Sequence, residues 1–185
     1  MNEIIGSQQN NQQVANKPAG FWIRTLAYII DGLIFIPIII FTMFNMFAWK
    51  SLFIAILMAV PSLIYKPLME SFKGATLGKM MCKLHIIDKD GKKISLAAAY
   101  IRFIPFLIAS LPGLLWSIHL LSIPGFHEVK DLVGFSQFTQ EVQQPLWQQL
   151  MGWIIFFDCV IIVFNKEKLA LHDMMAKTFC VKKDK

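Results

Sequence analysis

Four long, nearly uncharged apolar runs constrain what this chain can become. They lie at about 20–47, 51–69, 103–123 and 146–165. A helix that crosses a bilayer needs about 20 mostly apolar residues, and each run supplies them. Pro37, Pro61, Pro105 and Pro112 sit inside the runs. Such prolines break helices in water but are tolerated in membrane helices, where neighbouring groups satisfy the freed backbone. Composition agrees, with 56% hydrophobic and 16% charged residues. An ordinary soluble domain carries about 45–50% apolar and about 25% charged residues. Disorder, collagen and an ordinary secreted domain are thereby excluded, and 185 residues suit one membrane domain, here 19–183.

The formal charge of +6 comes from 18 Lys+Arg against 12 Asp+Glu. In a soluble protein that excess would suggest nucleic acid. Here it follows topology instead. The N-terminal region holds two basic residues, the first loop one, the 70–102 connection (with Lys66 counted in) eight, the loop 124–145 one, and the tail six. Basic-rich segments stay cytosolic. Both termini and the 70–102 connection are therefore expected inside, and 124–145 outside. The localisation expected is the cytoplasmic membrane, with anionic lipids attracted to the cytosolic face and no nucleic-acid partner. Residues 1–18 lack the features of a cleaved signal peptide and read as a disordered tail.

Within the connection, Lys83–Leu96 places apolar residues on both sides of Asp88-Lys-Asp-Gly91, a β-hairpin pattern. SLAAAYIR then reads as a helix leading into the third span. In the loop 124–145, Val129, Leu132, Val133 and Phe135 suggest an interfacial segment. Cys82, Cys159 and Cys180 are too scattered for a disulfide framework or a zinc site, and three free thiols are expected. The fold expected is an all-α integral membrane protein, a four-transmembrane-helix bundle with a small cytosolic β-hairpin.

Charged residues inside spans are costly and mark functional sites. Asp31 lies within the first span, seven residues after Arg24, which puts both on one helical stripe about 10 Å apart. Snorkelling would account for Arg24 but would leave Asp31 without a partner. Asp158 lies in the fourth span, seven residues before Asn165. If Arg24 and Asn165 both mark the cytosolic boundary, the two aspartates share a depth and could share a cation or a proton. The chain has only two arginines, Arg24 and Arg102, each at the cytosolic start of a span. His172-Asp173 opens a short helix in the tail, with Asp173 as a local cap and Lys177 spaced to pair with it. One guanidinium can serve two carboxylates, so Arg24 is expected to bridge Asp173 and to face Asp31 below, directly or through water.

Gly74-Ala-Thr76-Leu-Gly78-Lys79 is one residue short of a P-loop and puts Met80 where Ser or Thr is needed. Nucleotide binding is rejected. No EF-hand, zinc motif or catalytic triad pattern occurs, so no metal, no cofactor and no enzymatic activity are expected.

Arg24 and Asp31, the GATLGK segment, Arg102 and LALHDMMAKTFCV together make a set that resembles the RDD family, named for one arginine and two aspartates. Arg24, Asp31 and Asp173 match the three. Gly74, Thr76, Gly78 and Lys79 fit the family's cytosolic connection. The resemblance spans about 17–183, and departs at Lys177, where members commonly carry glycine, and in the loop 124–145. It implies a bacterial or archaeal membrane protein with a suggested transport role. On that basis a small transporter is expected, exchanging a monovalent cation for protons at Asp31, with Asp158 as neighbour and Arg24 as the tuning charge. Four helices are few for a transport path, so a homo-oligomer is expected. The rival is an accessory subunit that binds or regulates a membrane-protein partner.

Overall fold

The computed structural model of the chain describes residues 16–143 and 145–183. The expected disordered tail at 1–15 lies outside the described residues. Residues Asn16–Pro18, expected to belong to that tail, instead form strand β1.

Among the described residues three helices are long and apolar enough to cross a membrane. Helix α1, Phe21–Phe44, runs on through a π-helical turn at Asn45–Trp49. Helix α2 is Leu52–Lys73 and starts where the Ser51 hydroxyl accepts from the Ile54 N–H. Helix α4, Leu96–Ser122, is capped by the Ser95 hydroxyl and takes the SLAAAYIR stretch into the span without a break. Pro37, Pro61, Pro67, Pro105 and Pro112 all lie inside these helices, which continue through them. Helix α6, Leu146–Phe164, is apolar over the shorter stretch Trp153–Phe164. Many large apolar side chains point outward, among them Trp22, Phe53 and Phe164. A water-soluble protein does not expose apolar surface on that scale.

The helices run alternately up and down. The start of α1, the end of α2, the start of α4 and the tail after α6 meet at one end. At the far end, Met46, Ala55, Leu120, Leu121, Phe126 and Val129 pack into an apolar cluster. There Asn45 closes the α1–α2 turn by exchanging hydrogen bonds with the Ser51 backbone, both at 3.1 Å. Lys50 ties that turn to the carbonyls of His127 and Val129. The 124–145 loop thus contains a 3-10 turn, Pro124–Glu128, and helix α5, Leu132–Val142. Val129 is buried in the cluster and Phe135 packs against it, while Leu132 and Val133 are exposed.

The expected hairpin is corrected. Its turn forms, with Asp88 Oδ1 accepting from the N–H groups of Asp90 and Lys92. Its return arm makes only one bridge, Ile87 to Lys93. Ser95 already caps α4, so too few residues remain for a second strand. Strand β2, Leu84–Asp88, pairs instead with β3, Thr178–Lys183, antiparallel with Ile86 opposite Cys180. Strand β1 pairs with the other edge of β3, giving the order β1-β3-β2. The tail therefore supplies the central strand of a small sheet that covers one end of the helices.

Candidate functional site

Two groups of polar residues sit where the helices meet the sheet. The first is built around Asp173, on the short helix α7, Leu171–Ala176. Its carboxylate is fully buried and takes both arginines. Arg24 Nη1 pairs with Oδ2, and Arg102 Nη1 pairs with Oδ1 at 2.5 Å. The Ala170 N–H also donates to Oδ2 at 3.2 Å, so the local capping role and the arginine bridge coexist. Arg24 uses its remaining donors on the carbonyls of Ala19, Lys168 and Cys180. It fastens the tail and β1 to the start of α1. Among the described residues no direct hydrogen bond joins it to Asp31, although both side chains line the same cavity. Lys177 likewise makes no ion pair with Asp173 among the described residues.

Arg102 is buried at 0% exposure. Its Nε donates to Glu70 at 2.9 Å and its Nη1 also meets the Thr178 hydroxyl. Its second amino group has no partner among the described residues. Glu70, equally buried at the end of α2, also accepts from Lys79 Nζ at 2.6 Å. One chain of charges thus runs Lys79–Glu70–Arg102–Asp173–Arg24 across five helices. Burial alone would raise the Asp173 carboxyl, but the Arg102 guanidinium, with His172 and Arg24, holds it well below the usual carboxylate range.

The second group is built around Asp31. Its Oδ1 accepts from the Tyr65 hydroxyl at 2.9 Å and the Gly78 N–H at 2.8 Å. Its Oδ2 accepts from the Thr76 hydroxyl at 2.6 Å. Four residues of the GATLGK segment have their place in this. Gly74, at φ +76°, ends α2 in the left-handed region that favours glycine. Thr76 caps helix α3, Leu77–Met81. Gly78 lies so close to α1 that a Cβ there would collide with the Ala27 carbonyl oxygen and come within 2.9 Å of Asp31 Cγ. Lys79 reaches Glu70. The segment is a clasp that presses α3 onto α1, with Asp31 as its anchor.

Asp158 and His172 make a third contact. The His172 backbone N–H donates to Asp158 Oδ1 at 2.9 Å, and His172 Nδ1 lies 2.6 Å from Oδ2. Nε2 stands 3.4 Å from Asp173 Oδ1. Burial pushes His172 down to about 4, against the pull of both carboxylates, so at neutral pH the ring is uncharged and donates from Nδ1. Asp31 and Asp158 form no direct contact, but both line one cavity between α1, α2, α4 and α6. Its volume is about 400 Å³, and Lys66, Tyr28, Tyr65 and Phe106 also line it.

Glu70, Lys66, Tyr65 and Thr178 escaped the sequence reading. Glu70 carried a signal: it is the one acid in the lysine-rich stretch that ends the second apolar run. Lys66, counted on sequence with the cytosolic connection, instead faces the cavity. Among the described residues no group of three or more His, Cys, Asp or Glu could hold a metal ion.

The sequence model of the RDD family matches residues 18–177. The chain is 30% identical over 164 residues to the uncharacterized protein YckC of Bacillus subtilis, covering 88% of this chain and 83% of that one. It is 31% identical over 141 residues to the uncharacterized protein YxaI of the same organism, covering 63% of this chain and 91% of that one. No solved structure matches.

Proposed function

The chain belongs to the RDD family, and from that premise we propose that it is a small membrane transporter whose cargo enters the cavity between α1, α2, α4 and α6. The supporting observation is that cavity of about 400 Å³, which reaches Asp31 and Asp158. Concave, mostly apolar space lined by a few convergent polar groups is what small-molecule sites have in common. In this reading α6 is the fourth span. The sheet end, rich in lysine, lies in the cytosol with both termini, and the membrane is the cytoplasmic one. The chain acts without catalysis and as a homo-oligomer, since four helices leave little room for a full path.

Monovalent cation exchange for protons is the narrower form of this reading. The geometry makes demands on it. Every oxygen of Asp31 and Asp158 already accepts a hydrogen bond, so a bare cation would have to share those oxygens with Tyr65, Thr76, Gly78 or His172 and use the lone pairs that remain. A cargo larger than a bare ion fits the volume better, and a coupled proton would pass through the Asp158–His172 pair.

Reconstituted vesicles containing a pH-sensitive dye test this directly. Wild type should move protons when a gradient of Na⁺, K⁺ or a small organic ion is imposed, and Asp158→Asn should suppress that movement. A folded wild type that moves none of them overturns the transport reading. The accessory-subunit reading would then take its place, since the closed network from Lys79 to Arg24 suits a stiff docking face.

A further inference from the structure

Five charged side chains line the cavity: Arg24, Lys66 and Lys79 against Asp31 and Asp158. Arg24 is paired with Asp173 and Lys79 with Glu70. Each oxygen of Asp31 and Asp158 accepts at least one hydrogen bond. Lys66 is different. Among the described residues nothing accepts a hydrogen bond from its ammonium, which lies over the ring of Phe106. An aromatic face attracts the charge but accepts none of its three N–H groups in the normal way. Groups withdrawn from bulk water are nearly always hydrogen-bonded, so a donor set left open toward a cavity marks the place of an acceptor from outside.

The remaining wall limits what else that acceptor carries. Phe35, Phe103, Ile155 and Ile162 present apolar surface beside Lys66 and Phe106. A volume of about 400 Å³ lies within the range that encloses a small organic molecule and far exceeds what a bare inorganic anion fills. We propose, on the transport reading above, that the cargo of this cavity is a small amphiphile with a single anionic head, the head accepting from Lys66 and the apolar body lying on Phe35, Phe103, Ile155 and Ile162. One negative charge matches the single lining cation, Lys66, that has no ion-pair partner among the described residues. Such a molecule comes either from solution, as a free carboxylic acid, or from the bilayer, as a lipid with an anionic head.

The test is equilibrium binding to the full chain in phosphatidylcholine nanodiscs, with empty nanodiscs as the blank. The probes are octanoate, octanol and acetate. Octanoate should bind at least tenfold more tightly than octanol, which lacks the charge, and than acetate, which lacks the apolar body. Lys66→Met should weaken octanoate about tenfold, while Lys66→Arg should retain it within a few-fold. Equal binding of octanol, equal binding of acetate, or undiminished binding by a folded Lys66→Met protein overturns the proposal. If Lys66→Met does not fold, the octanol and acetate comparisons on wild type decide. Repeating the titration in phosphatidylglycerol nanodiscs separates the sources: competition supports a lipid head in the cavity, and undiminished binding supports the free acid. Binding is read without any flux. A chain that binds octanoate but moves nothing across vesicles overturns the transport reading and leaves the ligand class standing.

Discussion

Asp173 is the residue on which most of the polar structure depends, because two arginines from different helices converge on it. Removing one member of a buried pair strands the other charge, at about 3–5 kcal/mol. Arg24→Ala and Asp173→Ala should each lower thermal stability in detergent on that scale, and the double variant should cost much less than their sum. Strict additivity would contradict a shared interaction. Arg24→Lys should recover only part of the loss, since Arg24 also serves three carbonyls and an ammonium lacks the fork. At Gly78 the obstacle is backbone, which cannot give way. Gly78→Ala should destabilise by about 1–3 kcal/mol through overpacking against Ala27, and a melting temperature equal to wild type would show that α3 does not press on α1 as described. Lys177 offers the opposite case. It sits at φ +52°, in the left-handed region that favours glycine. Lys177→Gly should raise stability by roughly 1 kcal/mol, measurable in the same melts.

At the scale of elements, the tail after α6 is held in three ways: β3 lies between β1 and β2, α7 is pinned by the arginines, and His172 closes on Asp158. His172 makes that closure pH-dependent. Burial, with Arg102 and Lys66, outweighs the pull of Asp173 and Asp158 on its ring. An unfolded chain takes up the histidine proton near 6.5, whereas the folded chain resists until about 4. Between those values the unfolded state binds more protons, so stability falls as pH falls. Asp173 adds to the loss further down, because its depressed carboxyl favours the folded state only above the ordinary carboxylate range. Melting temperature should therefore decline steadily from pH 6.5 toward 4, and His172→Gln should flatten that upper part of the curve. A wild-type profile that is level over this window would mean the ring is not held neutral.

For the whole molecule, the alternation of helix ends predicts sidedness. In intact cells a cysteine introduced at Gly91 should resist a membrane-impermeant thiol reagent, and one at Gln140 should react; the reverse pattern would invert the topology. The sequence by itself determined the apolar helices, because span length and lack of charge are local properties that a bilayer reads directly. It also determined the family set of Arg24, Asp31 and Asp173, and the turn at Asp88–Gly91. Only the tertiary structure decided how these are used. Arg24 meets Asp173 across 149 positions of sequence while Asp31, on its own helix, goes to Gly78 and Thr76. Lys83–Leu96 looked like a hairpin because periodicity records which residues alternate, not which strand they pair with. The partner of β2 is the tail, more than 90 residues away. A carboxylate in a span announces that it needs donors, but several donors satisfy it equally well in principle. Which ones arrive depends on the packing of helices that approach one another only in the folded protein.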